Sequence, residues 1–433
     1  MAPNPNIMQA VEQLGYRVTV GDVATQAGLN VNLTQQGLLT LATDAGGHMQ
    51  VAESGEIVYL FPKNFRAVLR NKFLRLQLQE WWQKVWRVLF YLIRISFGII
   101  LLLSIALIFL TIFIIITASS QSSNDSNDRG NSHGGGILFM PHFWIGSDWF
   151  WVFYPNYDTQ YQERRRQQSQ LNFFEAIFSF LFGDGNPNAN LQDRRWQQIA
   201  TVIRNNGGAV VAEQIAPYLD DIGTGYAKEY EDYMLPVLTR FNGQPAVSPE
   251  GQIVYHFPDL QSTASQRHLQ SVPTYLEELE QRFSAASSGQ ILLSAGLGAL
   301  NFVGALVLGN LLARGIAAKV GGFVAFVQGI YWLLLGYGIA FLSVPLVRYF
   351  WIQWRNSKIS DRNRQRQARA RQLESADADL QQKIAYARQF AAETVITQED
   401  LVYTTETDLL DQESERSAQI DAEWQRRLRQ SGS

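Results

Sequence analysis

The side chains best suited to chemistry are few and scattered. There is no cysteine, which excludes disulfides, thiolate nucleophiles and cysteine-held zinc or iron–sulfur sites within the chain. The five histidines, His48, His133, His142, His256 and His268, include no i, i+4 pair, so no helix face offers two imidazoles to a metal. His142 and Asp148 come nearest to a ligand set, and two donors in an irregular aromatic stretch are too few for a metal site. No phosphate-binding P-loop, no GxGxxG after a strand, no GxSxG and no HExxH is present. Gly134, Gly135 and Gly136 neither follow a strand nor open a helix, and read as linker. The expectation is a chain with no catalytic, cofactor-binding or metal-binding residues of its own, and so a protein that is not an enzyme.

The elements around these residues point to a membrane. Ile95 to Ile116 is 22 residues without a charge, about 33 Å as a helix and enough for a hydrocarbon core. Gly289 to Ala313 and Val320 to Trp351 are two further apolar runs, the latter carrying only Arg348 near its end. Ala295 and Ala299, like Ala305 and Gly309, lie four apart, a spacing that lets helix backbones approach closely in lipid. The short link Arg314 to Lys319 makes these two runs an antiparallel hairpin. Near their middles the only polar groups are Ser104, Asn301, Asn310 and Gln328, too few for a transporter. The polar start Met1 to Gly15 has no signal-peptide pattern, so the first apolar run is expected to direct insertion.

Charge sets the expected orientation. Lys63 to Arg94 holds eight Lys/Arg against Glu80, and Arg355 to Arg371 holds seven against Asp361. Lys63, Arg66, Arg70 and Lys72, and then Arg355, Lys358 and Arg362, are the candidate orienting residues, and both flanks are expected on the cytoplasmic side. Three crossings cannot satisfy that, so the chain must return. Gly136 to Pro155, GILFMPHFWIGSDWFWVFYP, is the candidate as a re-entrant or interfacial segment, behind a polar linker from Ser119. Leu171 to Gly183 reads as an amphipathic helix lying on the bilayer.

Two soluble stretches repeat. VAESGEIVYLFP (Val51 to Pro62) and VSPEGQIVYHFP (Val247 to Pro258) agree at seven of twelve positions. Both read as strand–turn–strand, with Gly55 or Gly251 at the turn. The matching positions Ile57, Tyr59, Phe61 and Pro62, and Ile253, Tyr255, Phe257 and Pro258, are the candidate interaction hairpins. Helical segments Ile7 to Leu14, Val20 to Ala27 and Leu33 to Ala45 precede the first copy, with Thr19 and Asp22 starting the second helix and Gly28 ending it. Three helices and a hairpin is the plan of a winged helix, and a second such module begins near Trp196. Met1 to Pro62 has one basic residue against five acids, and Trp196 to Pro258 three against seven. Neither can clamp phosphates, so both are expected to contact or dimerise with protein, not nucleic acid.

The tail reads as a basic helix from Arg362 to Gln389, whose start near the membrane attracts anionic headgroups, then a hairpin over Val395 to Thr405 and a charged helix from Ser414. Its alternating charges read as a solvated face. The segments GYRVTVGDVATQAGLNV, IVYLFPKNFR, FxxxIFSFLFGDGNPN and GQPAVSPEGQIVYHFPDLQ, taken together, resemble an uncharacterised family of cyanobacterial and plastid membrane proteins. Plant members of it carry the label "iron-sulfur cluster biosynthesis family protein". The likeness runs from about Ala10 to the tail and implies a photosynthetic organism and a thylakoid or plasma membrane. It brings no catalytic residues, and a chain without cysteine or a histidine cluster has nothing with which to hold an iron–sulfur cluster itself.

The expected protein is an α-rich α+β membrane protein. Its domains run as a winged-helix-like module (1–72), a basic helix and first transmembrane helix (73–118), a polar linker (119–136), an aromatic region (137–190), a second module (191–285), a transmembrane hairpin (286–351) and a basic tail (352–433). The expected function is that of a non-enzymatic scaffold, assembly factor or accessory subunit of a membrane complex, with photosynthesis as its setting. Its expected partners are membrane lipid, an unidentified membrane protein complex and copies of itself as a homo-oligomer, with no nucleic acid and no cofactor. A membrane-tethered transcriptional regulator and an enzyme or transporter with an unrecognised site are the competing readings.

Overall fold

The computed structural model describes residues 3–72, 74–121, 171–264, 270–315 and 320–408, with positions 412, 414, 417, 421, 424 and 425 beyond. The aromatic stretch 136–155, most of the polar linker, residues 316–319 and most of the last charged helix lie outside the described residues. The chain is helix-rich and divides into two compact units. One gathers Met1–Trp82, Pro187–Leu279 and Lys358–Ser433; the other holds Gln83–Asn186 and Glu280–Ser357.

The first unit opens with helix Pro5–Gln13, which Asn4 caps by accepting the Asn6 N–H at 2.9 Å. Strand β1 (Arg17–Thr19), helices Val20–Ala27 and Val31–Ala45, and the hairpin β2 (His48–Ala52) and β3 (Ile57–Leu60) follow. Thr19 and Asp22 form a reciprocal capping box, and Gly28 closes that helix at φ +63°. β3 is central, pairing with β1 and β2. After the linker segments come helix Leu191–Asn205, β4 (Ala209–Val210), the short helix Ala212–Ile215, helix Leu235–Phe241, and the hairpin β5 (Gln244–Val247) and β6 (Ile253–His256), in the matching order β4-β6-β5.

The two hairpins agree in detail. Val51 faces Ile57 as Val247 faces Ile253, and Met49 faces Tyr59 as Pro245 faces Tyr255. Gly55 and Gly251 take φ +83° and +85°, and their N–H groups donate to Ala52 and Ser248, each at 2.9 Å. Phe61 N–H donates to the Tyr16 carbonyl at 2.8 Å, and Phe257 N–H to that of Gly208 at 2.7 Å. Tyr59, Phe61, Tyr255 and Phe257 are buried, each pair in its own core.

The tail departs from the sequence reading. β8 (Thr394–Val395) and β9 (Leu401–Thr404) do not pair with each other: β8 runs parallel to β7 (Ser262–Thr263), and β9 extends the first sheet to β1-β3-β2-β9. Non-local backbone partners outcompete the local turn here. The basic helix also breaks. Gly322–Glu374 ends, Asp377 caps a new start by accepting the Leu380 N–H at 2.9 Å, and Ala378–Ala387 packs on the second sheet.

Among the described residues three helices are long and apolar enough to cross a membrane, within Leu74–Gln121, Ser288–Ala313 and Gly322–Glu374. The last two are antiparallel, with Gly298 against Phe341 and Gly309 against Tyr331. Of the two spaced pairs, Ala305 is buried and Gly309 meets Tyr331, whereas Ala299 is exposed and its neighbour Gly298 makes the close approach instead. Ser104 donates to the Asn301 side chain at 2.8 Å, both buried between helices. The aromatic helix Phe173–Phe182 is not a surface helix. Its Phe173, Ile177, Phe180 and Leu181 pack with Leu101, Leu297 and Phe341. Apolar almost all round, it has no polar face to leave in water: Glu175 accepts the Asn172 N–H and Ser179 donates to Asp184.

Gly21 tests the packing of the first unit. A Cβ there would lie 2.1 Å from the Asp259 carbonyl oxygen. Gly21→Ala is expected to destabilise the full chain by about 1–3 kcal/mol, as overpacking does. Thermal unfolding in detergent measures it, and an unchanged midpoint would contradict the close approach.

Candidate functional site

Helix Val20–Ala27 is buried along most of its length because its residues are small: Gly21, Asp22, Val23, Ala24, Thr25 and Ala27 are all enclosed. It packs against helix Leu191–Asn205 of the second copy. Ala24 and Val31 enter a core with Ile199, Phe241 and Phe257. Asp22, 4% exposed, sits in this junction. Its Oδ2 accepts the backbone N–H of Thr19 at 2.9 Å and of Ala264 at 3.0 Å. Its Oδ1 accepts the Thr263 hydroxyl at 2.9 Å and a guanidinium hydrogen of Arg204.

The neighbouring cations also face inward. Arg17 donates to the carbonyls of Ala264 and Ile396, the latter at 2.9 Å. Burial lowers its pKa, with Asp22 acting in the opposite sense. Arg240 donates through Nε and Nη2 to the Gly28 carbonyl at 2.9 and 2.6 Å, at the C-terminal end of helix Val20–Ala27, and stacks 4.5 Å over Trp196. Beside the junction is a cleft of about 450 Å³ whose lining includes Asn6, Gln9, Gln13, Gln26, Gln197 and Asp193. Its carboxamides make hydrogen bonds in both directions.

A second charged cluster ties the tail to the second copy. Arg366 is 1% exposed and donates to Glu278 at 2.8 Å, to the Leu276 carbonyl at 2.9 Å and to Asp220. Arg362 grips Glu278 with two bonds of 2.9 and 2.6 Å, and Arg369 donates to the Leu219 carbonyl at 2.9 Å. The basic helix is therefore not a solvated face throughout. Burial raises the carboxyl of Glu278, but Arg362 and Arg366 outweigh it and hold it below its usual value. At Asp220 burial is likewise outweighed by Arg366 and Arg195. A third cluster places Lys383 Nζ 2.9 Å from Glu213 and 2.6 Å from Glu231, which also accepts the Tyr255 hydroxyl at 2.8 Å. Burial lowers the Lys383 pKa, yet the two carboxylates keep it raised overall.

The hairpin residues chosen from sequence are mostly structural. Ile57 and Ile253 are half-buried beside the cores, Pro62 and Pro258 follow the strands, and Gly55 and Gly251 are exposed turns. Of the orienting residues, Lys63 and Arg66 are exposed, with Arg66 paired to Glu12. Arg70 and Lys358 have interaction partners of their own, and Arg355 lies 5.1 Å over Trp351. Lys72 belongs to helix Phe65–Lys72. Arg362 is engaged by Glu278. Asp22, Arg204, Glu278, Arg366 and Lys383 went unseen as a network, because their partners are 84 to 182 residues away.

An uncharacterized chloroplastic protein of Arabidopsis thaliana is 38% identical to the chain over 436 positions, covering 98% of this chain and 82% of the relative. No family model and no solved structure matches the chain.

Arg366→Met removes the most buried cation among the described residues and is expected to cost about 3 kcal/mol. Arg364→Met, 77% exposed, should stay within about 0.5 kcal/mol of the parent. Because Asp220 and Glu278 have depressed folded pKa values, their contribution is present above the ordinary 3.8 and 4.5 and is lost as pH falls through the lower folded values. Melting midpoints followed from neutral pH down should therefore fall most steeply below about pH 4, and less so in Arg366→Met. Equal acid limbs in the two proteins would contradict this assignment.

Proposed function

The chain belongs to the family of that chloroplastic Arabidopsis protein, and from there we propose that it is a non-enzymatic, membrane-integral scaffold, assembly factor or accessory subunit of a plastid-type membrane complex. The observation that carries this reading is the face presented by helix Val31–Ala45. Leu33 and Leu39 are 63% and 48% exposed, among exposed Asn32, Gln35, Gln36 and Thr40, without a lysine or arginine and with Asp44 as the helix's one charged residue. The helix–strand–helix–helix–hairpin order and the sheet orders β1-β3-β2 and β4-β6-β5 support winged-helix-like modules. In a DNA-reading winged helix this face carries the phosphate and base contacts. Here Arg17, Arg204 and Arg240 are turned inward, so the free face suits protein.

Reciprocal co-purification from native membranes tests the reading. The same membrane proteins are expected with wild type and to be lost with Leu33→Asp/Leu39→Asp at unchanged abundance. Duplex DNA is expected to show no sub-micromolar, salt-sensitive binding to the full chain, and such binding would favour a tethered regulator instead.

The first unit supports the reading that the chain returns across the membrane before Pro187. Its three segments share cores and a sheet, as expected of parts on one face of a bilayer. The chain leaves this unit after Trp82 and re-enters it at Pro187, with one long apolar helix described between them, which favours a second crossing. Single cysteines introduced at the exposed positions Ser54, Glu250 and Glu399 in the cysteine-free chain should react with an impermeant reagent from the same side of sealed vesicles. Opposite labelling at Ser54 and Glu250 would exclude the return.

A further inference from the structure

One end of the helical second unit carries a collar of basic and aromatic side chains. Arg94 Nη2 bonds Asp184 at 2.8 Å. Asp184 accepts the Ser179 hydroxyl at 2.5 Å and the Ala285 N–H at 2.7 Å. Arg348 donates to the Phe180 carbonyl at 2.9 Å and lies 4.5 Å over Phe283. Phe283 in turn meets Tyr349 edge-on at 6.2 Å. Next to Phe283, Arg282 is exposed, and its neighbour Gln281 exchanges two hydrogen bonds with Asn356, at 2.8 and 2.9 Å, beside Arg355. These contacts bring Arg94, Arg348 and the neighbour of Arg282 together, with Arg355 two turns beyond Arg348 on its helix. Lys84 and Arg87 lie two to three turns before Arg94 on its helix, both exposed.

Not all of these cations are engaged. Arg94 is neutralised by Asp184, and Arg348 is held by carbonyls at the C-terminal end of helix Phe173–Phe182. Lys84, Arg87, Arg282 and Arg355 have no carboxylate partner among the described residues. Between them stand exposed Trp86, Trp351 and Trp354, at 52, 47 and 57%. Indole rings beside free cations, flanking apolar helices, have the chemistry of the headgroup layer. In sequence, the link between the second and third helices carries only Arg314 and Lys319.

We infer that this collar is a docking surface for anionic lipid headgroups, with Lys84, Arg87, Arg282 and Arg355 holding the phosphate or sulfonate and the three tryptophans seated among the headgroups. The inference rests on the membrane-spanning reading above. It assigns lipid attraction to these residues in place of the tail arginines Arg362, Arg366 and Arg369, which the soluble unit occupies.

The full chain is reconstituted into vesicles of phosphatidylcholine alone and of phosphatidylcholine mixed equally with phosphatidylglycerol, and the lipid retained after detergent extraction is read by native mass spectrometry. Wild type is expected to retain phosphatidylglycerol preferentially, less so in high salt. Each of Lys84→Gln, Arg87→Gln, Arg282→Gln and Arg355→Gln should weaken that retention roughly fivefold, while Arg314→Gln leaves it unchanged. Equal retention of both lipids by wild type, or undiminished preference when all four substitutions are combined in one chain, overturns the inference. A chain that alkaline carbonate strips from the vesicles overturns the membrane-spanning reading as well, which separates the two failures.

Discussion

A carboxylate taken out of water must have its lone pairs answered by hydrogen-bond donors, and Asp22 meets that requirement with groups from three distant parts of the chain. Thr19 belongs to its own helix start, Arg204 to the first helix of the second copy, and Thr263 and Ala264 to the strand that follows the second hairpin. Satisfying one buried charge therefore fixes the two copies against each other. The small residues around it are a consequence. Gly21 and Gly28 leave room for the backbones of Asp259 and Gln197, and a larger side chain at either would push the donors of Asp22 out of range.

The two copies share a hairpin but differ in what completes it. β9 adds to the free edge of β2, where Thr405 N–H donates to the Met49 carbonyl at 2.9 Å and Met49 N–H donates to the Thr405 hydroxyl at 2.9 Å. The equivalent edge position in β5 is Pro245, which has no N–H to give. A single residue thus closes the second edge to strand addition. Helix Ala378–Ala387 packs instead on the face of this sheet, against β6 and β4, with Tyr386 donating to the Val247 carbonyl at 3.2 Å, while β5 stays mostly exposed. The duplicated module is finished twice by one tail, once with a strand and once with a helix.

What the sequence made legible was local. The hairpins announced themselves by alternation and by glycine at a turn that needs positive φ. Helix Val20–Ala27 did so through Thr19, Asp22 and Gly28, and the long apolar helices through length alone. β1 and β4, of three and two residues, are too short to show a period and exist only because β3 and β6 lie between strands. The tail hairpin was misread because LVYT carries strand propensity without saying which edge it joins. The capping role of Asp22 was readable, but its bonds to Arg204 and Thr263 depend on how the copies dock. No spacing rule reaches that far.

The basic tail joins the two kinds of information. Arg362, Arg366 and Arg369 recur at i, i+4 and i+7, one face of a helix, whereas Arg364 and Arg371 fall on the other. A count of positive charges treats all five alike. The structure separates them, because the first face meets Glu278, Asp220 and the carbonyls of Leu276 and Leu219. This does not weaken the orientation argument, since charge bias acts while the chain is being inserted and before that face has found its acids. In the membrane-spanning reading proposed for the chain, the same arginines serve twice in succession: first as charge that resists translocation, then as donors that lock the tail to the second copy. Only the second role requires guanidinium geometry, because one planar fork must answer a carboxylate and a carbonyl together at Arg366. Lysines would meet the first requirement equally well, and the run from Arg362 to Arg371 contains none.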